Sequence, residues 1–299
     1  MQKILAIAGP TASGKSNIAV QIAKKINGEI ISMDSMQIYK GMDIGTAKVT
    51  INEMDGIPHY MINIAEPNMP YSVSDFATKA KEIINQIVDK GKIPILAGGT
   101  GLYYESLIYP FNFGGAKSEE TIKNRLYEEL DKYGAEYMHK KLMQIDPIDG
   151  AKIHPNNTKR LIRALEIYEI TGETKSKSTQ SNKNLQYDIN MFVLDIDREI
   201  LYDRIEKRVQ IMFESGLVDE IKTLLLQGIN FDMQSMQGIG YKEFKDYFAG
   251  KMTLEEVKNL IILNSRHYAK RQITWFKRYD FAKFITPQEL LNHFNIDNE

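Results

Sequence analysis

The sequence predicts an α/β fold with a parallel sheet, an all-helical insertion and a helical C-terminal part. Three observations predict it. Short apolar runs alternate with helical patterns up to residue 108, as in a parallel sheet with crossover helices. Residues 113–186 then hold helical patterns with no strand between them, and an apolar run returns at residues 191–197. We therefore expect a core domain of residues 1–112 and 187–299, interrupted by a helical insertion domain.

The first elements follow from local patterns. Residues 4–8 form a short apolar run that predicts a buried strand. Residues 18–26 repeat apolar side chains at helical spacing, and Gly28 is placed to end that helix. A second apolar strand covers residues 30–33 and stops at Asp34.

The later elements of the core are predicted in the same way. Ser74 is placed to cap an amphipathic helix. Residues 93–97 predict a third strand, followed by a glycine turn and a helix at residues 102–108. A polar stretch at residues 175–184 predicts a flexible loop before the strand at residues 191–197, and three helical patterns follow that strand. Sites in such sheets form beyond the carboxyl ends of the strands.

Composition limits the function classes. The 299 residues are 43% hydrophobic and 26% charged, with a net charge of −1, which is typical of an ordinary globular protein without a global basic field. The absence of cysteine excludes disulfides, thiolate zinc sites and cysteine nucleophiles. His59 and His154 are too isolated to predict a zinc site. No apolar run is long enough to span a membrane or act as a signal peptide, so we expect a cytoplasmic protein, and a monomer.

Residues 9–16, GPTASGKS, match the P-loop pattern G-x-x-x-x-G-K-S between a predicted strand and a predicted helix. In that context backbone N–H groups wrap a phosphate, the Lys15 ammonium adds charge and the Ser16 hydroxyl can ligate Mg²⁺. The motif predicts phosphate binding but does not say what the phosphate is attached to. An ATPase would also carry an acidic residue after an apolar strand to hold the metal, for which Asp34 and Asp195 are the candidates.

A carboxylate lies at the end of the second predicted strand, on the same edge of the sheet as the P-loop. This Asp34 is followed by Ser35, Met36 and Gln37. It could ligate a metal, accept a proton or cap a turn. The next loop, residues 40–48, is more polar and glycine-rich than a structural connection needs, and this favours a functional role.

Two further features point to the same edge. The glycine turn at residues 98–101 is a weak signal alone, but beside the P-loop it places the Thr100 hydroxyl near a bound phosphate. Arg204 and Arg208 lie one helical turn apart, so both can face one ligand. The alternative for the arginines is a solvated helix face paired with neighbouring acids.

Two segments are locally basic. Residues 152–183 hold seven Lys and Arg against three acids, and residues 258–278 hold six against none. In the second segment the cations are interleaved with Tyr268, Trp275 and Phe276, which suits a phosphate backbone with stackable bases. A helix with a cationic exposed face and a core-facing aromatic side is the alternative.

These motifs, in this order, resemble those of the tRNA dimethylallyltransferases, also called tRNA isopentenyltransferases. The matching blocks are GPTASGKS, DSMQIYKGMDIGTAK, GGTGLY, IHPNNTKRLIRALEIYEITG, RIEKRVQIMFESGLVDEI, MQGIGYKE and SRHYAKRQITWFKR. The resemblance implies a P-loop kinase-like core with a helical insertion. It also implies transfer of a dimethylallyl group from its diphosphate to the exocyclic N6 amine of the adenosine 3′-adjacent to the anticodon, in tRNAs that read codons beginning with U. The products would be N6-isopentenyladenosine and pyrophosphate.

The resemblance also implies roles for residues. The family's catalytic base falls on Asp34, its threonine beside the bridging oxygen on Thr100, and its pyrophosphate-binding arginine on Arg208, while Mg²⁺ would lie near Ser16. The implied diphosphate-binding residues are Gly9, Pro10, Thr11, Ala12, Ser13, Gly14, Lys15 and Ser16. The implied tRNA-binding residues are Asp34, Ser35, Met36, Gln37, Thr100, Lys123, Lys159, Arg160, Arg163, Gln237, Gly238, Gly240, Tyr241, Lys242, Arg266, Lys270 and Arg271.

The chain departs from the family pattern at two positions. The family commonly has a histidine pair where this chain has His59 and Tyr60, so no role is assigned to Tyr60. The position of Met36 is often arginine, so one tRNA contact is lost. Zinc-finger extensions of eukaryotic relatives are absent, as the missing cysteines require, and the chain is similar to the bacterial form.

Three alternatives stay open on the sequence. An isopentenyltransferase acting on free adenine nucleotides would not need the insertion or the basic C-terminal segment. A P-loop small-molecule kinase would need arginines for ATP and a nucleotide-base pocket, and it leaves the basic, aromatic segment unexplained. A non-enzymatic nucleic-acid-binding module would need neither the P-loop nor Asp34.

Overall fold

The computed structural model describes residues 1–110, 119–174, 176–177 and 184–296. The chain divides into two compact units, one of residues 1–108 and 186–299 and the other of residues 109–185. The predicted boundary between residues 112 and 113 and most of the predicted loop at residues 175–184 lie outside the described residues. The domain boundaries therefore stay a prediction, and each unit is described by itself.

The larger unit is built on a six-stranded sheet in which every neighbouring pair is parallel. Its spatial order is β3-β2-β4-β1-β5-β6. The strands are β1 (Lys3–Ala8), β2 (Gly28–Ser32), β3 (His59–Tyr60), β4 (Ile93–Gly98), β5 (Asp188–Leu194) and β6 (Lys283–Ile285). The four central strands are largely buried, which explains their continuous apolar sequences. The predicted α/β fold class is confirmed.

Helices pack against this sheet, and several of them form a second apolar core. They are α1 (Lys15–Ile26), α2 (Ile51–Met54), α3 (Val73–Asp89), α4 (Gly101–Ile108), α9 (Arg198–Glu214), α10 (Leu217–Leu226), α11 (Lys245–Phe248), α12 (Leu254–Phe276) and α13 (Pro287–His293). One apolar core joins α1 and α13 to the sheet, and another lies among α9, α10, α12 and the loops beside them. None of the helices in the described ranges is both long and apolar enough to cross a bilayer.

The smaller unit consists of α5 (Glu120–Tyr133), α6 (Ala135–Ile145), α7 (Pro147–Gly150) and α8 (Thr158–Thr171). Leu126, Met138, Leu142 and Leu161 pack in its core. Over its described residues this unit contains helices and no strand, as the sequence predicts.

Several element ends differ from the sequence prediction. Helix α1 ends at Asn27, which adopts the left-handed conformation at φ 55°, and Gly28 instead begins β2. A Cβ on Gly28 would lie 2.5 Å from the side chain of Ile95, so glycine is needed there for close approach. Ser72, not Ser74, caps α3, because Ser72 and Asp75 form a reciprocal capping box.

The last two strands were also imperfectly predicted. Strand β5 begins at Asp188, three residues before the predicted start, and ends at Leu194. Strand β6 has only three residues, Lys283–Ile285, and its sequence carries no alternation long enough to signal a strand. Pairing with β5 rather than local propensity fixes it.

Candidate active site

Three loops meet at the carboxyl edge of the sheet, after β1, β2 and β4. The ends of β2 and β4 are tied by hydrogen bonds from Met33 N to Ala97 O at 2.8 Å and from Thr100 N to Met33 O at 2.9 Å. A Cβ on Gly98 would lie 2.5 Å from the Met33 backbone, so only glycine allows this approach. The P-loop, the Asp34 loop and the glycine turn are thereby brought together.

The P-loop leads into α1, and the backbone N–H groups at the start of that helix have no side-chain cap. Gly14, at φ 83°, precedes α1, and no side chain caps the first turn of that helix. Lys15 lies back over the loop and donates from Nζ to Pro10 O at 3.0 Å. Uncapped N–H groups and the positive end of the helix dipole favour an anion here.

The ammonium of Lys15 is held in an unfavourable environment. Burial, followed by the positive charge of Arg208, lowers the pKa of Lys15 to about 8, while the Asp34 carboxylate acts in the opposite direction. Burial also lowers the pKa of Arg208, again against the influence of Asp34. Lys15 and Arg208 carry two positive charges against the one negative charge of Asp34. The site therefore has a net positive charge, which an anionic ligand would neutralise.

Asp34 fills one of the three roles that the sequence left open. Its Oδ1 accepts the backbone N–H groups of Met36 at 2.9 Å and Gln37 at 3.3 Å, so the residue caps its own turn. The carboxylate is half-buried and within electrostatic reach of Lys15 and Arg208. Within the described part of the chain no hydrogen bond involves Oδ2, so the carboxylate retains an acceptor oxygen.

Thr100 and Tyr268 form a second polar group beside Asp34. The Thr100 Oγ1 accepts the Ser35 N–H at 3.1 Å, and the Thr100 hydroxyl lies close enough to Tyr268 to influence the pKa of that side chain. Burial, and next the Asp34 carboxylate, raise the pKa of Tyr268 to about 12, although hydrogen bonds from Thr100 and Gln272 oppose the shift. Tyr268 therefore stays protonated at neutral pH. The sequence marked this tyrosine only as part of a basic, aromatic segment.

Arg208 is anchored by the loop that follows the Asp34 turn. Its Nη2 donates to Thr46 O at 3.1 Å. Arg204, one turn earlier on α9, is exposed. Of the two arginines that the sequence singled out, Arg208 alone lines the cavity described below.

The loop of residues 40–48, called the Thr46 loop below, is held by an acidic residue that the sequence analysis did not identify. The Glu220 carboxylate on α10 accepts the backbone N–H groups of Asp43, Ile44 and Gly45 at 2.8, 2.7 and 3.1 Å. It also accepts the Tyr241 hydroxyl at 2.7 Å. No sequence signal marks Glu220, because its partners are backbone groups about 175 positions away in the chain.

We expect Glu220→Ala to lower the free energy of unfolding by roughly 3 kcal/mol, because four donors, two of them on the buried residues Gly45 and Tyr241, would lose their acceptor. Activity would fall with it, since the Thr46 loop supports Arg208. Urea unfolding monitored by circular dichroism measures the first effect. Asp219→Ala is the matched control, since that side chain on the same helix is 79% exposed and should change stability by less than about 0.5 kcal/mol. Equal effects of the two substitutions would contradict the conclusion that Glu220 holds the loop through these hydrogen bonds.

A cavity of about 290 Å³ connects these loops. Its walls come from the P-loop, the Asp34 loop, the Thr46 loop, α9, the segment 237–242 and α12. Of the residues singled out in the sequence it is lined by Thr11, Asp34, Ser35, Met36, Arg208, Gln237, Gly238, Gly240, Lys242, Tyr268 and Arg271. A cavity of this volume is at the lower end of the range for small-molecule sites.

One predicted tRNA contact needs correction. The Tyr241 side chain is fully buried, and a Cβ on Gly45 would lie 2.5 Å from its ring. Its hydroxyl donates to Glu220. Tyr241 therefore supports the Thr46 loop from the core and presents no side-chain atom to an RNA. The motif could not separate this core aromatic from its exposed neighbour Lys242.

Other predicted tRNA contacts differ in how accessible they are. Arg163 pairs with Glu166 at 2.7 Å, and Arg266 pairs with Glu206 while lying over the Tyr202 ring. The Gln37 side chain is bonded to the Thr46 and Ala47 carbonyls. The exposed cations among them are Lys123, Lys159, Arg160, Lys242, Lys270 and Arg271.

The departure at Tyr60 has a structural explanation. Its hydroxyl donates to the buried carboxylate of Glu29 at 2.7 Å, and Lys90 and Lys92 complete the same cluster. These interactions hold the pKa of Glu29 below its usual range. The cluster lies at the amino-terminal end of β2, whereas Asp34 follows its carboxyl end. His59 hydrogen-bonds the Ile57 carbonyl.

Comparisons of sequence and of structure with known proteins find relatives of the same family. The family model described as IPP transferase matches residues 37–279. The tRNA dimethylallyltransferases of Thermoanaerobacter sp. (strain X514) and Bacillus mycoides are each 48% identical, over 97% and 92% of this chain and 94% and 87% of theirs. The tRNA isopentenylpyrophosphate transferase structure from Bacillus halodurans is 44% identical, with a TM-score of 0.74 over 99% of this chain and 95% of that chain. A eukaryotic dimethylallyltransferase structure, described as acting on tRNA, is 33% identical, with a TM-score of 0.80 over 92% of this chain and 70% of that chain.

Proposed function

This chain belongs to the IPP transferase family and is an enzyme that transfers dimethylallyl groups to tRNA, and we propose that its donor is dimethylallyl diphosphate. We further propose that the acceptor atom is N6 of the adenosine 3′-adjacent to the anticodon, in tRNAs reading codons that begin with U. The observation that carries the proposal is that Thr11 of the P-loop, Asp34 and Arg208 line one cavity, while Thr100 is hydrogen-bonded to the Asp34 turn and Lys15 is electrostatically coupled to Asp34 and Arg208.

The donor's diphosphate is proposed to lie in the P-loop as a leaving group. The open N–H groups before α1 and the charges of Lys15 and Arg208 would neutralise the negative charge that develops as the carbon–oxygen bond breaks. The phosphate chain is released whole as pyrophosphate. No nucleoside triphosphate is consumed.

Mg²⁺ fits this site only as a partner of the diphosphate. Among the residues that the structure describes no three His, Cys, Asp or Glu side chains form a metal cluster. Ser16 is exposed in the first turn of α1 and offers one hydroxyl. Mg²⁺ commonly keeps waters and takes oxygens from substrate phosphates, so a single protein ligand is compatible. When bound it would supply charge neutralisation to the leaving diphosphate.

Asp34 is proposed to act on the acceptor amine. An exocyclic adenine amine is a poor nucleophile because its lone pair is delocalised into the ring, so alignment and a nearby base must contribute. As the new carbon–nitrogen bond forms, the nitrogen loses a proton to the Asp34 carboxylate. We propose that Thr100, whose Oγ1 accepts the Ser35 N–H beside Asp34, contacts the bridging oxygen.

The tRNA must present an unstacked base to reach the cavity, as other enzymes that modify bases require. Met36 and Gly238 line the cavity, and Lys242 and Arg271 are exposed cations at its wall. We propose that exposed cations of both units bind the tRNA backbone and that the helical insertion contributes through Lys123, Lys159 and Arg160.

Labelled dimethylallyl diphosphate tests the proposal. It is incubated with unmodified tRNA reading a codon that begins with U, with AMP, or with ATP and candidate small metabolites. We expect label in tRNA alone, at N6 of the adenosine next to the anticodon. Transfer to AMP and not to tRNA would overturn the acceptor, and ATP-dependent phosphorylation without prenyl transfer would overturn the reaction.

Diphosphate affinity should fall as the pH rises through about 8. Lys15, whose pKa is lowered to about 8, is charged below that pH and loses its ammonium above it. Pyrophosphate binding to the free enzyme should therefore weaken up to about tenfold per pH unit above 8, as for any anion that requires one protonated group. Calorimetric titration measures the affinity.

Lys15→Arg is the control for this pH dependence, because a guanidinium stays charged throughout that range. The ratio of the two proteins' dissociation constants removes the titration of pyrophosphate itself. A ratio that does not change between pH 7 and pH 10 would contradict the role of Lys15.

A further inference from the structure

One buried amide joins two of the loops at the site, and the proposed mechanism does not use it. Gln272 on α12 is 5% exposed. Its Oε1 accepts the Thr11 N–H of the P-loop at 2.8 Å, and its Nε2 donates to the Gly99 carbonyl at 3.0 Å. Both ends of one side chain are thus bonded to backbone groups more than 170 positions away in the chain.

The chemistry of the two partners selects an amide at this position. The Thr11 N–H needs an acceptor and the Gly99 carbonyl needs a donor, and a neutral amide offers both on adjacent atoms. The fit is close, because a Cβ on Gly99 would lie 2.0 Å from the Gln272 Nε2. The Gln272 amide therefore fits only because position 99 has no side chain.

The loops joined in this way carry the groups that would meet the donor. Thr11 lines the cavity and belongs to the P-loop that contains Lys15. Gly99 precedes Thr100, whose hydroxyl influences the pKa of Tyr268, one turn before Gln272 on the same helix. A shift of the P-loop relative to the glycine turn would move the diphosphate away from Thr100.

We infer that Gln272 is a positioning residue for the reaction, which holds the P-loop against the glycine turn so that the diphosphate and Thr100 keep their relative placement. The inference rests on the proposed diphosphate site. It assigns Gln272 to the donor side, although α12 also carries Lys270 and Arg271, which are exposed and proposed to contact tRNA.

A role in packing alone would have different consequences. A packing residue can be replaced by an apolar side chain of the same length at little cost, and its loss would lower stability without discriminating between donor and tRNA. A positioning residue requires the two hydrogen bonds themselves. The test must therefore separate hydrogen bonding from volume, and donor affinity from tRNA affinity.

Two variants make that separation. Gln272→Met keeps the length and removes both hydrogen bonds. Gln272→Glu keeps an acceptor for Thr11 N–H but sets a carboxylate oxygen against the Gly99 carbonyl. Burial against the Gly99 carbonyl should raise the pKa of this carboxyl towards neutrality. Because a protonated carboxyl can accept at one oxygen and donate from the other, the Glu variant should then regain both bonds as the pH falls. Asn259→Met, an exposed amide on the same helix, is the matched control.

The measurements are pyrophosphate affinity, the KM for dimethylallyl diphosphate, kcat, tRNA affinity and thermal unfolding of the full chain. For Gln272→Met we expect pyrophosphate affinity to fall and donor KM to rise at least tenfold, while tRNA affinity stays within about threefold. For Gln272→Glu we expect the same loss at pH 8 and recovery towards the unaltered protein at pH 6, both measured against that protein at each pH. Asn259→Met should change none of these.

Two outcomes would overturn the inference. One is a Met variant with unchanged pyrophosphate affinity and only a lower unfolding temperature, which would make Gln272 a packing residue. The other is a Glu variant whose deficit does not depend on pH. Failure of the proposed donor site looks different, because the unaltered protein itself would then bind no pyrophosphate while still binding tRNA.

Discussion

Asp34→Asn should lower kcat at least a thousandfold, which corresponds to about 4 kcal/mol of transition-state stabilisation. The amide oxygen can still accept the N–H groups of Met36 and Gln37, so the turn is retained, but an amide cannot take a proton from the adenine amine. Single-turnover transfer of labelled prenyl to tRNA measures the rate, and filter binding measures tRNA affinity, which should change less than about threefold.

Asp34→Ala removes both the base and the cap of the turn. We expect it to abolish turnover and to lower stability by about 1 kcal/mol more than the Asn variant, the usual effect of losing a capping side chain. A large loss of tRNA affinity in the Asn variant, with the rate of bound tRNA unchanged, would make Asp34 a binding residue rather than the base.

Arg208→Ala should lower kcat by a hundredfold to a thousandfold, about 3 to 4 kcal/mol, and raise the KM for the donor. The guanidinium is held by the Thr46 carbonyl and desolvated, so its charge acts on the leaving diphosphate with little screening by water. Steady-state kinetics with varied dimethylallyl diphosphate separates the two effects. The Thr46 carbonyl loses one partner, so a small drop in stability accompanies the loss of activity.

Arg204→Ala is the matched control for Arg208. It lies one turn away on the same helix but is exposed, so its removal should change donor kinetics by less than about threefold. Similar losses for the two variants would mean that the helix, not the buried guanidinium, is what the reaction requires.

Local patterns predicted much of this fold because its central elements are locally consistent. Strands β1, β2 and β4 are buried on both faces and appear as short apolar runs, and the P-loop pattern lies between a strand and a helix. The exceptions are elements that tertiary contacts define. Strand β6 exists because β5 lies beside it, and α1 ends where Asn27 adopts the left-handed conformation, one residue before Gly28 packs against Ile95.

The site was predicted where chemistry is concentrated in motifs and was missed where it depends on partners distant in the chain. Asp34, Thr100 and Arg208 belong to recognisable blocks. Glu220 and Gln272 also lie within these blocks, but they hold the loops through backbone groups, and no spacing in a single sequence reveals such a partner. The same limit led to the error at Tyr241, because burial cannot be read from a motif in which core and surface side chains alternate.

In the proposed reaction the P-loop binds a diphosphate that leaves intact while its carbon chain is transferred. The decisive experiment is a single-turnover reaction of dimethylallyl diphosphate, labelled in both the chain and the diphosphate, with unmodified tRNA as the acceptor and without ATP. We predict one intact pyrophosphate released for each prenyl group that appears in tRNA. Release of inorganic phosphate instead, or a requirement for ATP hydrolysis, would show that the diphosphate is not an intact leaving group.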